Sequence, residues 1–357
     1  MTSKHSATTE PPKGLTRRHF LKLGVMALAS APLGCLAGCA DDSESKSGAT
    51  SNGSSGEDPK EFTLFVFDTV VNVSAYCTDE LLQDAQDRCK YFESTFSRTV
   101  EGSDIWNINH AKGKPVEVST ETADIIAKAL AYSKKTDGLF DITIGAVSTL
   151  WDFDKGIKPS DDKIKEAVRH VGYRSISLDG QTVRLSDPKA KLDLGAIAKG
   201  YIADDLARIL REGGCESACI NLGGNVYVLG SKPSKEDWTV GVYDPNGNEN
   251  QVIASCKASN KSIVTSGLYE RNFTKNGTLY YHILDTKTGY PAKTDLIASS
   301  IYSDSSIDGD VYATVLFLLG HNKALKFLKS HDGLDGLVVD KNDKVSTTKN
   351  SPFKVEK

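Results

Sequence analysis

The segment from Tyr281 to Pro291 places a histidine beside a polar turn. A predicted strand ends here, and His282 and Asp285 lie near its end. An imidazole titrates close to neutral pH, so it can accept a proton from a hydroxyl nucleophile. A single histidine is more often structural or simply exposed. The residues alone therefore leave a catalytic role for His282 open.

A second candidate is the pair Asp310 and Thr314 on a predicted helix. Residues four positions apart lie one turn apart on the same side of a helix. A carboxylate and a hydroxyl are hard oxygen ligands of the kind that Mg²⁺ takes together with phosphate and water. The alternative is an ordinary helix start with an acidic residue in its first turn, and the residues alone favour that alternative.

Two glycine-containing segments could bring backbone close to a ligand. Residues 193–200 (DLGAIAKG) lie at a predicted strand-to-helix junction, where free amides and the positive helix end can bind phosphate. Lys199 lies about one turn into that helix and could add a charge. Residues 221–225 (NLGGN) put two glycines into an apolar strand, which indicates a bulge or a close approach to the backbone. A purely structural role stays open for both segments.

These segments require a scaffold of mixed strands and helices. Apolar spacing predicts helices at Asp79–Phe92, Thr120–Lys135, a segment capped by Ser160, Ala196–Glu212, Asp308–Leu319 and Asn322–Lys329. One or two strands are predicted within Phe62–Tyr76. Further strands are predicted at Ala218–Leu229, Trp238–Tyr243, Lys261–Ser266, Leu279–Leu284, Ile297–Tyr302 and Gly336–Asp340. The elements interleave without a regular βαβ period, which favours an α+β fold. The sequence has neither a GxGxxG nor a GxxxxGK[ST] motif, so it lacks both standard nucleotide loops.

The charge balance and the cysteine spacing argue against two classes of function, nucleic-acid binding and structural zinc binding. The 357 residues include 43 Lys+Arg and 47 Asp+Glu, a balance that argues against a nucleic-acid partner. The CxxxC spacing of Cys215 and Cys219 lacks a second ligand pair, which argues against structural zinc. With Cys77, Cys89 and Cys256, at most two disulfides could form, and none need form.

The chain begins with a predicted export signal at residues 1–38. Arg17-Arg18 precedes an apolar run that is too short to span a bilayer, since a span needs about 20 residues. This pattern resembles a twin-arginine signal, with an ordinary secretory signal as the alternative. Residues 36–39 (LAGC) resemble a lipobox, so Cys39 is the expected lipid attachment point. Residues 39–60 are expected to form a flexible tether and residues 61–357 the functional body, anchored by lipid to the outer face of the cytoplasmic membrane.

Several motifs occur in a characteristic order between residues 62 and 340. They are Phe67-Asp68-Thr69-Val70-Val71, Phe96-Ser97-Arg98, Gly138 to Thr143, Leu192 to Gly200, Asn221 to Asn225, Ser266-Gly267 with Tyr269-Glu270-Arg271, His282 to Pro291, and Asp310 with Thr314. In this order they resemble the ApbE family of FAD:protein FMN transferases. The resemblance implies an α+β, T-fold-like arrangement of mixed sheets and packed helices, with FAD bound in a cleft. It also implies Mg²⁺-dependent transfer of FMN from FAD to a Thr hydroxyl of an exported acceptor flavoprotein, with release of AMP.

The resemblance also implies roles for individual residues. His282 would activate the nucleophile, and Asp285 would shape that corner of the site. The Mg²⁺ ligands would be the side chains of Asp310 and Thr314 and the carbonyl of Ala196. The residues around the dinucleotide would be Phe67, Asp68, Ser97, Asp141, Thr143, Asp193, Lys199, Gly224 and Ser266. The family often has Met-Gly-Thr where this chain has Phe67-Asp68-Thr69, so the contacts of Phe67 and Asp68 stay open.

Two other functions use the same residues. In a Mg²⁺-dependent FAD pyrophosphatase, water would replace the acceptor hydroxyl and the products would be FMN and AMP. A non-catalytic flavin-binding lipoprotein would only store or deliver FAD. The joint presence of His282, Asp310 and Thr314 argues against the non-catalytic alternative.

Overall fold

The computed structural model describes residues 58–247 and 251–356. The predicted export signal, Cys39 and nearly all of the predicted tether lie outside these residues. Lys60, the last residue of the predicted tether, already pairs with Ala75 in the first strand. No helix in the described residues is long and apolar enough to cross a membrane.

The described residues form strands and helices in mixed order, which confirms the α+β prediction. The strands are β1 Lys60–Val66, β2 Thr69–Ala75, β3 Val116–Glu117, β4 Ile176–Asp179, β5 Thr182–Leu185, β6 Ala218–Leu222, β7 Asn225–Leu229, β8 Trp238–Tyr243, β9 Val252–Ala258, β10 Lys261–Gly267, β11 Asn272–Lys275, β12 Thr278–Tyr281, β13 Leu296–Ser303, β14 Asp335–Asp340, β15 Val345–Thr347 and β16 Lys354–Val355. The helices are α1 Asp79–Phe96, α2 Asp104–His110, α3 Thr120–Lys135, α4 Gly145–Ser148, α5 Asp161–Val168, α6 Ala198–Glu212, α7 Ser306–Leu319 and α8 His321–Lys329.

An eight-stranded antiparallel sheet in the order β1-β2-β6-β7-β10-β13-β14-β15 forms the centre of the fold. Side chains alternate between its two faces, as strand geometry requires. In β14, Val338 packs with the helices, whereas Leu337 and Val339 pack with the small sheet β16-β9-β8. The large sheet therefore lies between a layer of helices and a second sheet.

Helix starts follow the local capping signals. Ser160 Oγ accepts a hydrogen bond from Lys163 N and caps α5, as predicted. Ser119 caps α3 in the same way, and this helix has the predicted bounds Thr120–Lys135. These short-range signals locate helices because they satisfy the free amides of the first turn.

The prediction of one strand across Ala218–Leu229 is wrong. The chain reverses at Gly223-Gly224, where φ is +58° and +97°, and β6 pairs with β7 as a hairpin. Two successive positive φ values make the tight turn that joins adjacent antiparallel strands. Both strands are largely buried, so the apolar run gives no alternation that would reveal the reversal.

Two further boundaries shift near the candidate site. No strand precedes residues 193–200, because Lys191 forms only an isolated bridge with Ile144, and α6 begins at Ala198. Strand β12 ends at Tyr281, so His282 lies directly after the strand rather than inside it.

Candidate active site

The contact between α6 and α7 fixes the position of Asp310. A Cβ atom added to Gly200 in α6 would lie 2.4 Å from the Ser306 carbonyl oxygen, so the two helices meet backbone to backbone. The Asp204 carboxylate accepts hydrogen bonds from Ser306 N at 2.7 Å and Ile307 N at 3.0 Å. It therefore caps α7 from the side of α6. Asp310 lies one turn further along the helix that is held in this way.

The Asp310 carboxylate is only 2% exposed and is held at both oxygens. Its Oδ2 accepts a hydrogen bond from Gly200 N at 2.9 Å, and its Oδ1 lies 3.7 Å from Lys199 Nζ. Thr314 Oγ1 donates to the Asp310 carbonyl at 3.3 Å, which keeps the hydroxyl on the same side of α7. The structure thus brings Lys199, Asp310 and Thr314 together.

The turn before α6 leaves polar backbone groups available. Because Gly200 N donates to Asp310, it does not donate to the Ala196 carbonyl four positions earlier. Among the described residues, no backbone amide donates to that carbonyl, and the Lys199 amide has no backbone acceptor. Free groups at a helix start are the ones that bind ligands.

These oxygens fit the ligand preference of Mg²⁺. The described residues contain no group of three or more His, Cys, Asp or Glu side chains that could hold a metal. An ion here would depend on the Asp310 carboxylate, the Thr314 hydroxyl and the Ala196 carbonyl, all of them hard oxygens. Such a set suits Mg²⁺, which keeps water and phosphate as its remaining ligands, and does not suit zinc.

His282 lies at the end of β12, where its backbone N donates to the Arg271 carbonyl at 3.1 Å. Its Nε2 lies 3.7 Å from Glu270 Oε2, and its side chain is 28% exposed. Its Nδ1 is buried and has no hydrogen-bond partner among the described residues. Burial, followed by the nearby charges of Lys199 and Arg271, lowers the pKa of His282 to about 4. The imidazole is therefore neutral at pH 7 and can accept a proton at Nε2.

Glu270 is a site residue to which sequence reasoning assigned no role. Burial and the neighbouring charge of Asp310 raise the pKa of Glu270, although Lys199 opposes this. Burial lowers the pKa of Lys199, but the negative charges of Asp310 and Glu270 outweigh this effect and raise the pKa. The available signal was the Tyr269-Glu270-Arg271 motif directly after a strand.

The turn between β1 and β2 is tied to the same loop. Phe67 and Asp68 have φ values of +56° and +55°, an unfavourable conformation for residues with a Cβ. Glu93 Oε2 accepts a hydrogen bond from Phe67 N at 2.7 Å, and Arg271 Nη2 lies 3.4 Å from Asp68 Oδ2. The turn thus reaches the His282 side of the site, and dinucleotide contacts of Phe67 and Asp68 stay a prediction.

Asp193 links three segments around the turn before α6. Its Oδ1 accepts from Gly195 N at 2.9 Å, and its Oδ2 accepts from Ser148 Oγ at 2.5 Å and lies 3.4 Å from Arg98 Nε. Ser97, next to Arg98, ends α1, and its hydroxyl accepts from the amides of the loop that follows. Asp193 and Ser97 therefore both have structural hydrogen-bond partners beside the site.

Asp141 and Thr143 lie in a separate buried network. The Asp141 carboxylate accepts from Thr143 Oγ1 at 2.6 Å and from Tyr173 N at 2.6 Å. Thr143 Oγ1 in turn accepts from Gly172 N at 2.7 Å. Among the described residues, no hydrogen bond or ion pair joins this network to His282 or Asp310, and its side chains hold a loop junction. The dinucleotide contacts assigned to them stay predictions.

The remaining predicted residues lie at chain turns and at one strand end. The Asp285 carboxylate accepts from Lys287 N at 2.8 Å and Thr288 N at 2.9 Å, so it shapes the turn that follows His282. Gly224 lies in the β6–β7 turn and faces open space, since an added Cβ would have only a carbonyl oxygen at 4.0 Å. Ser266 is 9% exposed near the end of β10.

The chain is similar to known proteins over most of its described length. The ApbE family model matches residues 67–338. A FAD:protein FMN transferase from Klebsiella pneumoniae is 38% identical over 258 residues, covering 71% of this chain and 80% of that protein. One of the same description from Treponema pallidum is 34% identical over 265 residues, covering 69% of this chain and 73% of that protein.

Solved structures show the same likeness. The crystal structure of the ApbE protein from Thermotoga maritima matches with a TM-score of 0.75 at 31% identity, covering 82% of this chain and 97% of that one. Flavin transferase ApbE from Vibrio cholerae has a TM-score of 0.72 at 21% identity, which supports the fold. Fold, site geometry and sequence likeness agree, and this chain belongs to the ApbE family.

Proposed function

We propose that this chain transfers FMN from FAD to a hydroxyl group of an acceptor protein and releases AMP. Two relatives described as FAD:protein FMN transferases, at 38% and 34% identity, support the reaction class. One observation carries the proposal. Neutral His282 lies next to Glu270, and Glu270 in turn lies near the Lys199–Asp310 pair. A base for a hydroxyl nucleophile and a cation for phosphate oxygens are the two groups that this transfer needs.

The turn at residues 194–199 would bind the diphosphate of FAD. Its free amides lie at the start of α6, where the helix dipole favours an anion, and Lys199 adds a full charge. Mg²⁺, held by Asp310, Thr314 and the Ala196 carbonyl, would supply further neutralisation of charge on the phosphoryl oxygens. Phosphoryl transfer depends mainly on such positioning and charge neutralisation.

His282 would deprotonate the acceptor. Its Nε2 takes the hydroxyl proton while the oxygen attacks the phosphorus of the FMN half. The bond from that phosphorus to the bridging oxygen breaks, and AMP leaves with the bridging oxygen. Asp285 contributes by fixing the turn after His282, through its bonds to the amides of Lys287 and Thr288.

The acceptor that we propose is an exported flavoprotein with a Ser/Asp-Gly-Ala-Thr-type motif, modified on its threonine. We also propose that the enzyme is exported and lipid-anchored through Cys39. This part rests on residues 1–60 of the sequence, where the paired arginines, the LAGC motif and the polar tether occur. Loss of membrane fractionation in a Cys39→Ala variant would support the anchor, and unchanged fractionation would contradict it.

An acceptor-labelling assay distinguishes transfer from hydrolysis. Enzyme, FAD, Mg²⁺ and an acceptor containing the motif are incubated, and the intact mass of the acceptor and free FMN are measured. The proposal expects one FMN on the acceptor threonine and AMP in equal amount. Free FMN with an unmodified acceptor would instead indicate a pyrophosphatase. Absence of both FMN-labelled acceptor and free FMN would indicate a non-catalytic flavin-binding protein.

Asp310→Asn separates the role of the carboxylate from general damage. The exchange keeps the shape and should abolish the Mg²⁺-dependent transfer. Asp162→Asn, on the exposed face of α5, is the matched control and should leave transfer unchanged. Equal activity of the two variants would contradict the role given to Asp310.

A further inference from the structure

Two cysteines meet at the end of the central sheet that lies away from the Phe67–Asp68 turn. Cys77 follows β2, and Cys215 lies in the connection between α6 and β6. These strands are neighbours, with Ala75 opposite Ala218. The pairing continues one step beyond the strands, because Tyr76 N donates to the Ser217 carbonyl at 2.9 Å.

The two thiols are close neighbours, because each alters the pKa of the other. Cys215 Sγ donates to the Ser217 carbonyl at 3.3 Å. Both cysteines are free in the structure, with Cys77 half-buried and Cys215 only 3% exposed. Both pack in the same apolar cluster beneath the sheet. One thiol can thus be reached from solvent, and the other lies directly behind it.

We propose that Cys77 and Cys215 form a disulfide that joins the end of β2 to the α6–β6 connection. Adjacent backbones with neighbouring thiols are the conditions that a disulfide needs, because its geometry requires Cα atoms within about 7 Å. The bond would anchor the edge hairpin β1–β2, whose opposite end carries the Phe67–Asp68 turn of the site. The inference does not depend on the proposed reaction.

The reaction requires a small disulfide as oxidant, such as oxidised glutathione. The Cys77 thiolate attacks one sulfur of the oxidant, and one glutathione thiolate leaves. The Cys215 thiolate then attacks the Cys77 sulfur of the mixed disulfide and displaces the second glutathione thiolate. The two protons lost by the cysteines are taken up by the two glutathione products. The protein is oxidised by two electrons and the oxidant is reduced by two.

The surroundings of Cys77 set the conditions for this exchange. Burial raises the pKa of Cys77 to about 11, although the ammonium of Lys60 lowers it slightly. The thiolate is the nucleophile, so the rate should rise with pH across the alkaline range.

The test uses the folded full chain and oxidised glutathione at mildly alkaline pH. Free thiols are then blocked with N-ethylmaleimide, and peptides are mapped by mass without reduction. The expected result is a linked Cys77–Cys215 peptide, loss of labelling at both residues, and a thermal midpoint that rises and falls back on reduction.

Three cysteine-to-serine variants test whether Cys77 and Cys215 form the link. Cys77→Ser and Cys215→Ser should each abolish the linked peptide and the rise in thermal midpoint. Cys256→Ser, at a free and buried thiol packed on the other side of the sheet, should retain both. Stable glutathione on Cys77, full labelling of either cysteine, or a link from either one to a different cysteine would overturn the proposal.

Discussion

The lowered pKa of His282 predicts where transfer is lost in acid. Burial and the charges of Lys199 and Arg271 bring this pKa from 6.5 to about 4. The difference corresponds to about 3 kcal/mol between the two protonation states. At pH 5 a base with a pKa of about 4 is about 90% deprotonated, whereas a base at its ordinary value would be about 3% deprotonated.

The assay is the pH dependence of kcat/KM for FAD, which reports the free enzyme. The profile should be flat from neutral pH down to about pH 5 and should fall only as pH approaches 4. An NMR titration of the imidazole signals, assigned with His282→Gln, gives the same pKa without relying on activity. Circular dichroism at each pH confirms that the chain stays folded.

Replacing Lys199 tests the cause of the shift. Lys199→Met removes a positive charge that opposes protonation of His282, so the pKa of His282 should rise and the acid limb should move toward neutral pH. Lys128→Met, at a surface lysine paired with Asp124, is the control and should leave the pKa unchanged. A wild-type limb near pH 6.5, or a titration that Lys199→Met does not move, would contradict a pKa of His282 lowered by burial and by Lys199.

Three other predictions concern packing and stability. Gly200→Ala places a Cβ 2.4 Å from the Ser306 carbonyl, so it should cost about 1–3 kcal/mol in urea unfolding and reduce transfer by displacing α7; unchanged stability would contradict the close helix contact. Gly223→Ala puts a side chain at φ +58° and 2.0 Å from Thr69 Oγ1, so its thermal midpoint should fall, and a wild-type midpoint would refute the strained turn. As pH falls from about 6.5 to 4, His282→Gln should lose less stability than the wild type. In this range the imidazole binds a proton in the unfolded wild type but not in the native state, and this difference destabilises the native wild type. Parallel losses in thermal scans would contradict a half-buried, neutral His282.

Local signals predicted many of the elements but not their meeting points. The bounds of helix α3 follow from the sequence because its apolar stripe has helical spacing and Lys134 and Lys135 lie in its last turn. Strand β9 is absent from the sequence prediction, although Ser255 and Lys257 alternate with buried apolar residues as expected for a half-buried strand. The sequence indicated a bulge or a close backbone approach at Gly223-Gly224 rather than a turn, because both flanking strands are buried. Patterns along the chain show burial, and they do not show where two buried strands reverse.

The same limit applies to the site. His282 and Asp310 could be singled out by residue type, since an imidazole and a helical carboxylate have few chemical equivalents. The role of Glu270 could not, because its approach to His282 and Lys199 depends on how the loop after β10 folds back toward α6. The buried hydrogen bonds of Asp141 could not be predicted from the sequence either, since its partner Tyr173 comes from a distant turn.

In the proposed reaction, His282 activates an acceptor hydroxyl for FMN transfer. The most direct measurement is the intact mass of an acceptor incubated with FAD, Mg²⁺ and either the wild type or His282→Ala, with FAD binding measured in parallel. One FMN is expected on the acceptor with the wild type, and none with the variant although FAD still binds. Near-normal labelling by His282→Ala would contradict the role of His282 as the base.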